Sequence, residues 1–404
     1  VEKKILIISQ NFYPEIGSAA NRIKNIYQLL QEHNYNVTVL TTQPSYPNKK
    51  IYYDEKFWND SSLNHDNGKI HRVSITNRKY SRSLFNRLIY YLEMMVKILW
   101  FVLWDKRKYD YVFVTTPPIF IGFVGLFAKL RYRSKLLLDV RDLWPDSLKG
   151  VGVFNYSIVL KLFSYLERLL YEKADKIIVN SLGFVKHIQT KAGVKESQIS
   201  FVPNAARSEE VSREKFEINQ PFKVIYAGNL GLAQDIEILK KLARSLDEHN
   251  IELTIIGYGL KRPELVEFIK NNSLSNVTVL SPQTRKECLA IIARHQVGIV
   301  TLNNNEVFET VLPGKIIDYM TCGVPIVASV KGYSKQVIEK ENTGLIASMN
   351  DAQEMLDHIF YLQNNPDYQK MLSANCIRFI NEKFVWERNI EIVTAYLNKK
   401  HINV

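Results

Sequence analysis

The stretch KVIYAGNLGLAQD, residues 223–235, decides the fold. It opens on an apolar run of the kind found in a parallel strand buried on both faces. A glycine-containing turn follows and then a helix start, so backbone N–H groups are left facing whatever lies beyond the strand end. The same grammar recurs downstream in ELTIIG (252–257), VTVLS (277–281), VGIVTL (297–302) and PIVAS (325–329), with helical stretches between them. It also recurs upstream in KILIISQ (4–10), YNVTVLTT (35–42), YDYVFVTTPP (109–118), KLLLDVRD (135–142) and KIIVNS (176–181). Strands alternating with helices mean βαβ units and a parallel sheet, here twice over. The polar segment 207–222 reads as the hinge. The expected division is 1–206 for the first domain and 207–385 for the second, with a last helix over 386–404 returning to the first. Two open α/β sheets joined in this way place a ligand crevice outside the carboxyl ends of their strands.

The 404 residues, 46% of them hydrophobic and 23% charged, are enough for two real cores and exclude a disordered or collagen-like chain. Three cysteines, Cys288, Cys322 and Cys376, stand too far apart in sequence for a C-x-x-C metal site or a disulfide framework. With the short strand-like run that follows the charged start at VEKK, this gives the expectation of a reducing, cytoplasmic location. The net charge of +12 is unevenly held. Residues 1–205 carry 30 Lys and Arg against 17 Asp and Glu, while 206–404 carry 23 against 24. A basic first half suits nucleic acid, anionic lipid or a phosphorylated substrate.

The segment SLFNRLIYYLEMMVKILWFVLW (83–104) is the most hydrophobic helix in the chain. Asn86, Tyr90, Glu93 and Lys97 fall on one narrow stripe, with Arg87 at its edge and Trp100 and Trp104 near the end. Such a helix, flanked by basic residues, suits a membrane interface, with the two tryptophans as the anchors. The plain alternative is a helix buried between the sheet and a neighbour.

Three further stretches carry candidate chemistry. In NFYPEIGSAANR (11–22), Gly17 and the small residues after it lead to Asn21 and Arg22 at a helix start, where an anion is favoured. DVRDLWPDS (139–147) sets an Arg, several carboxylates and a Trp beyond a strand end; Asp142 or Asp139 suits a base and Arg141 a phosphate contact. An internal Arg141–Asp ion pair with Trp144 as core is the plain alternative. In FETVLPGKIIDYMTCGVPIVAS (308–329), Gly314 opens a helix, Lys315 sits in its first turn and Asp318 lies one turn on. Positive charge at a helix start suits phosphates, and a carboxylate beyond it suits ribose hydroxyls. A solvent-facing Lys315 is the alternative there.

The order of these stretches, together with VPNA (202–205), resembles the family 4 glycosyltransferases of the two-domain GT-B type over nearly the whole chain. Within them it is similar to the bacterial capsule and O-antigen subset that includes N-acetyl-L-fucosamine transferases. The resemblance implies two Rossmann-like domains facing a central cleft. It also implies a UDP-sugar donor, retention of configuration, and an undecaprenyl-diphosphate-linked saccharide as acceptor at the cytoplasmic membrane surface. No metal or other cofactor is implied. Donor contacts would fall to Gly17, Asn229, Gln234, Glu309, Thr310, Gly314, Lys315 and Asp318, acceptor contacts to Glu15, Asn21, Arg22 and Trp144, and catalysis to Asp142, Arg141 and Lys315. The sequence departs from the family pattern in its final motif, where Thr310 and Asp318 stand in place of an E-x7-E pair and Glu309 is displaced by one residue. An Arg and Lys often found after the first strand of the second domain are also missing, which leaves Lys315 to supply the charge. A histidine often found in the first domain has no counterpart, and Asp142 takes its place.

Read without the resemblance, the chain has no D-x-D and no H-E-x-x-H, so metal chemistry lacks its usual ligands. Two other functions remain open at this point. A UDP-sugar 2-epimerase has the same architecture but needs no acceptor and no apolar helix. A non-catalytic basic protein would bind anionic lipid or nucleic acid in a salt-sensitive way; no nucleic-acid module with base-stacking aromatics is evident.

Overall fold

The computed structural model describes residues 2–64, 68–76, 84–147, 157–212 and 221–399. Contacts divide the chain into two units, Val1–Pro203 with Asn389–Val404, and Asn204–Arg388. The expected boundaries were 206 and 386. The difference arises because Ala206 pairs with Val385 in a parallel bridge, and the Ala206 carbonyl accepts from the Trp386 amide, so both crossing segments belong to the second unit. Most of the expected hinge, 213–220, lies outside the described residues.

The first unit holds a seven-stranded sheet. Its strands are β1 (Lys4–Ile8), β2 (Asn36–Thr42), β3 (Ile70–Val73), β4 (Tyr111–Thr116), β5 (Lys135–Val140), β6 (Lys176–Val179) and β7 (Ile199–Phe201), in the order β3-β2-β1-β4-β5-β6-β7. Every pairing is parallel. The central β4 is buried along its full length, which is why its sequence is apolar without alternation. The described helices are α1 (Ser18–Glu32), α2 (Ser61–Asn64), α3 (Leu84–Trp104), α4 (Ile119–Tyr132), α5 (Ser157–Lys173) and α6 (Gly183–Ala192). Small residues let α4 lie close to its neighbours: a Cβ on Gly125 would meet the Val114 side chain at 2.8 Å, and one on Gly122 would meet Leu170 at 2.6 Å.

The second unit repeats the plan with six parallel strands. These are β8 (Lys223–Asn229), β9 (Glu252–Tyr258), β10 (Val277–Leu280), β11 (Val297–Thr301), β12 (Ile326–Ser329) and β13 (Gly344–Ile346), in the order β10-β9-β8-β11-β12-β13. Helices α7 (Ile236–Glu248), α8 (Arg262–Asn271), α9 (Arg285–Ile292), α10 (Gly314–Thr321), α11 (Gly332–Lys340), α12 (Ala352–Asn364) and α13 (Pro366–Lys383) cover it. α7 shows how sequence sets an element. Asp235 caps it by accepting from the Glu237 and Ile238 amides, and Ile238, Leu239, Leu242 and Leu246 recur at helical spacing to fill the core. The last helix, α14 (Trp386–Asn398), carries the chain into the first unit. There the Leu397 carbonyl accepts from Lys3 and, at 2.9 Å, from the Tyr111 hydroxyl, and Tyr35 donates to Asn398 at 2.6 Å.

α3 is buried on one face and exposed on the other. Tyr90 belongs to the buried face with Met94, Ile98 and Val102. Glu93 and Lys97 pair with each other at 2.6 Å and clip the segment after β3, Glu93 accepting from the Thr76 amide and Lys97 donating to the Ser74 carbonyl. The polar stripe is therefore consumed by the protein, and the face left to solvent is apolar: Leu92, Val96, Trp100, Leu103 and Trp104, with Trp104 67% exposed. Among the described residues no helix is long and apolar enough to cross a membrane.

Candidate functional site

In the second unit the chemistry gathers at the carboxyl end of β8. α10 is tied there by Tyr319, whose hydroxyl accepts from the Ala227 amide at 2.8 Å and donates to the Ile299 carbonyl at 3.2 Å. Gly298 makes the approach possible, because a Cβ on it would meet the Tyr319 ring at 2.5 Å. One helical turn before Tyr319, Lys315 is thereby directed at the turn after β8. Its Nζ donates to the Tyr226 hydroxyl and to Gln234 Oε1, both at 2.8 Å, and lies 4.0 Å from the centre of the Tyr226 ring. Gly228, at φ 140°, leaves room for the lysine stem; a Cβ there would stand 3.3 Å from Lys315 Cε. Lys315 is buried, no carboxylate among the described residues pairs with it, and burial lowers its pKa from 10.5 to about 7. Of the two readings open for Lys315, the solvent-facing one is thus corrected.

The other expected donor residues spread around this centre. Gln234 meets Lys315 directly, and its own carbonyl accepts from Lys261 Nζ at 3.1 Å. Asn229 is exposed at the end of β8, its carbonyl accepting from Tyr226 at 3.0 Å. Gly314 begins α10. Asp318 is half-buried one turn on, and Arg285 donates to it at 2.7 Å while gripping Glu210 through two nitrogens at 2.8 and 3.0 Å. Thr310 turns inward, its hydroxyl donating to the Val307 carbonyl at 2.9 Å. Glu309 lies in the short 3-10 helix before α10 and lines a shallow groove with Asn303, Asn304 and Lys331, apart from Lys315. Gly17 belongs to the first unit, where it precedes α1 with φ 110°.

In the first unit the loop after β5 is bonded more tightly than expected. Asp139 is fully buried and takes the Arg22 guanidinium through Nε and, at 2.7 Å, through Nη2. Arg22 is thus corrected from an acceptor contact to an interior strut joining α1 to β5, since neither side chain reaches solvent. Among the described residues Arg141 makes no ion pair with an Asp; it donates to Thr115 Oγ1 at 2.6 Å and to the Pro117 carbonyl at 2.8 Å. Asp142 beside it is held above the ordinary carboxylate range by burial, against the pull of Ser147 and Arg141. Trp144 packs on Phe163 and Phe120, ring centres 4.8 and 6.3 Å apart, and remains half-exposed. Glu15 is buried, with Oε1 accepting from the Tyr46 amide at 2.8 Å. Asn21 is half-buried in the first turn of α1 and accepts from Asn25.

Four residues emerge that the sequence did not single out. Tyr226 reads within 223–235 as one apolar position of a buried strand, and Arg285 comes from a helix start that carries no signature. Glu167 on α5 accepts from Tyr171 at 2.9 Å and from Lys191 at 2.8 Å, and lies 3.2 Å from His187 Nε2. Its negative charge adds to the upward push on Asp142. His187, on α6, also approaches Asp146, Nδ1 lying 4.0 Å from its carboxylate. Among the described residues no group of three or more His, Cys, Asp or Glu is arranged to hold a metal ion.

Comparisons with known proteins agree with this division. Residues 17–205 match the family model of the glycosyl transferase 4-like domain, and residues 208–379 match that of glycosyl transferases group 1. WcaI of Escherichia coli K12, named for a glycosyl transferase of colanic acid biosynthesis, is 22% identical over 348 residues, covering 82% of this chain and 84% of its own. A Campylobacter jejuni protein named as an N-acetylgalactosaminyltransferase acting on a diphospho-undecaprenol-linked saccharide is 24% identical over 174 residues, 42% of this chain and 45% of its own. HepE of Anabaena, solved with UDP and glucose, superposes with a TM-score of 0.69 at 15% identity, covering 98% of this chain and 99% of that one.

Proposed function

We propose that this two-domain glycosyltransferase of the GT-B type moves an N-acetylated amino sugar, N-acetyl-L-fucosamine, from UDP to a saccharide on undecaprenyl diphosphate during capsule or O-antigen synthesis. The observation that carries the donor side is Lys315: a buried ammonium group with only neutral partners, at a helix start facing a glycine turn. A diphosphate there gives the lysine the counter-charge it lacks, and free N–H groups of the α10 start add to the hold. Asn229 is exposed beside it for further contact, and the half-buried Asp318 serves the ribose hydroxyls. HepE was solved with UDP, which supports the choice of nucleotide.

The step itself breaks the bond between the sugar anomeric carbon and the donor phosphate oxygen, and forms one to an acceptor hydroxyl. The departing UDP carries the electron pair and the negative charge that Lys315 and the helix start stabilise. With retention, attack comes from the face the diphosphate leaves, and the acceptor proton passes to a phosphate oxygen, so no strong protein base is needed. Asp142 and Arg141, at the end of β5, orient the acceptor hydroxyl and its diphosphate. The half-exposed Trp144 offers a ring for a sugar to stack on. Catalysis on this reading needs no metal, and chelation with EDTA leaves turnover unchanged.

The apolar outer face of α3 fits a peripheral position on the bilayer that carries the acceptor, with Trp100 and Trp104 at headgroup depth and the basic first half drawn to anionic lipid. The Campylobacter relative's diphospho-undecaprenol substrate supports a lipid-linked acceptor. The test is UDP release from a panel of UDP-N-acetyl amino sugars, with and without bacterial membrane extract. Release that depends on one donor and on the extract is expected. Interconversion of a free UDP-sugar without acceptor would replace this reading with an epimerase.

A further inference from the structure

We propose that Tyr226 is the positioning residue of the donor site, holding Lys315 so that binding of the donor diphosphate is coupled to uptake of one proton by that lysine. This rests on the reading that Lys315 meets the diphosphate, and adds what sets its charge. Three observations converge on it. The Tyr226 hydroxyl and Gln234 Oε1 hold Nζ at 2.8 Å from two directions, and the Tyr226 ring lies beneath it at 4.0 Å. All of these partners are neutral. The Tyr226 hydroxyl directs its proton to the Asn229 carbonyl at 3.0 Å, with Gln234 Oε1 a more distant acceptor at 3.3 Å, so it presents a lone pair to the lysine and ties Nζ to the turn that would face the phosphates.

The charged and titratable groups of the surrounding elements are engaged elsewhere. Asp318, on α10 itself, is paired with Arg285 of α9, which also holds Glu210. Lys261 donates to the Gln234 backbone. The Tyr258 and Tyr319 hydroxyls and the Cys288 thiol are pushed upward by burial and stay neutral through the working range. A lysine buried among neutral groups gives up its proton near pH 7, whereas one facing a diphosphate keeps it. Ligand binding must then draw a proton from solution above that pH, and affinity must fall as pH rises.

The experiment is calorimetric titration of UDP into the full chain, in HEPES and in Tris. At pH 8 the terminal phosphate of UDP is fully ionised, and the difference between the two buffers gives the protons taken up. The wild type should take up close to one proton per UDP at pH 8 and close to none at pH 6. Tyr226→Phe keeps the ring and removes the lone pair, so the lysine discharges at lower pH. At pH 7 this variant should take up more protons than the wild type and bind UDP several-fold more weakly, with the gap closing at pH 6. Gln234→Leu, which leaves β8 untouched, should shift the profile the same way and guards against a folding defect in the first variant. Proton uptake near zero at pH 8, in a protein whose UDP affinity still depends on Lys315, would overturn the inference alone. Variants whose pH profiles match the wild type would do the same. UDP affinity indifferent to Lys315→Ala would overturn the underlying reading, and this inference with it.

Discussion

Lys315 shows at the scale of one residue how a short motif becomes chemistry. Its place at a helix start was legible in PGK, because a proline and a glycine before a lysine announce a first turn. What surrounds it was not, because Tyr226 and Gln234 stand 89 and 81 residues away and reach it only through the sheet. Lys315→Ala should weaken UDP binding by about 1.5–3 kcal/mol, the range for a hydrogen bond to a charged group, as read by calorimetry. The free protein should also respond to pH through this lysine. Its folded pKa lies near 7, well below the unfolded value of 10.5, so its contribution to stability is complete above 10.5 and is lost as pH falls through 7. Lys315→Met should accordingly raise the melting temperature of ligand-free protein at pH 6 and change it little at pH 10. Asp142 lies in the other domain, so Asp142→Asn should lower turnover and leave UDP affinity unchanged. An Asp142→Asn enzyme with normal turnover would remove the acceptor-side role from that residue.

At the scale of elements, apolar strands were readable even at four residues, as in β6, β10 and β12, whereas three short edge strands were not. β4 and β5 announced themselves as apolar runs, whereas β3, β7 and β13 have three or four residues each and lie at sheet edges. An edge strand half-covered by the protein has no reason to be apolar throughout, so IHRV and ISF look like loop. The helix α3 was evident from its hydrophobicity, but which of its faces meets solvent was not. The wheel showed a polar stripe without showing that Thr76 and Ser74 would use it up. Replacing Trp100 and Trp104 together by Glu should reduce co-sedimentation with vesicles containing anionic lipid, with the melting temperature unaltered because both side chains are exposed. The strut between α1 and β5 behaves oppositely. Arg22→Ala leaves Asp139 charged and unpaired in the interior, and should cost about 3–5 kcal/mol of stability in a denaturant titration.

For the whole molecule, the repeated βαβ grammar was enough to foresee two parallel-sheet domains, and it put forward the turn after β8 and the start of α10 as candidate sites. The order of motifs along the chain carried the family resemblance, and the imbalance of charge between the halves pointed to an anionic partner for the first. The pairing of Arg22 with Asp139, and of Arg285 with Glu210 and Asp318, was out of reach because each joins segments from distant parts of the chain, and only the completed sheet decides which carboxylate an arginine meets. The proposed activity has a product that can be weighed, a sugar moved onto a lipid-linked acceptor. The decisive measurement is mass spectrometry of undecaprenyl-diphosphate-linked saccharide incubated with the protein and UDP-N-acetyl-L-fucosamine. The lipid should gain the mass of one N-acetylated deoxyamino sugar, and the gain should fall sharply with Lys315→Ala. An unchanged lipid beside a donor converted to its 2-epimer would make the protein an epimerase and not a transferase.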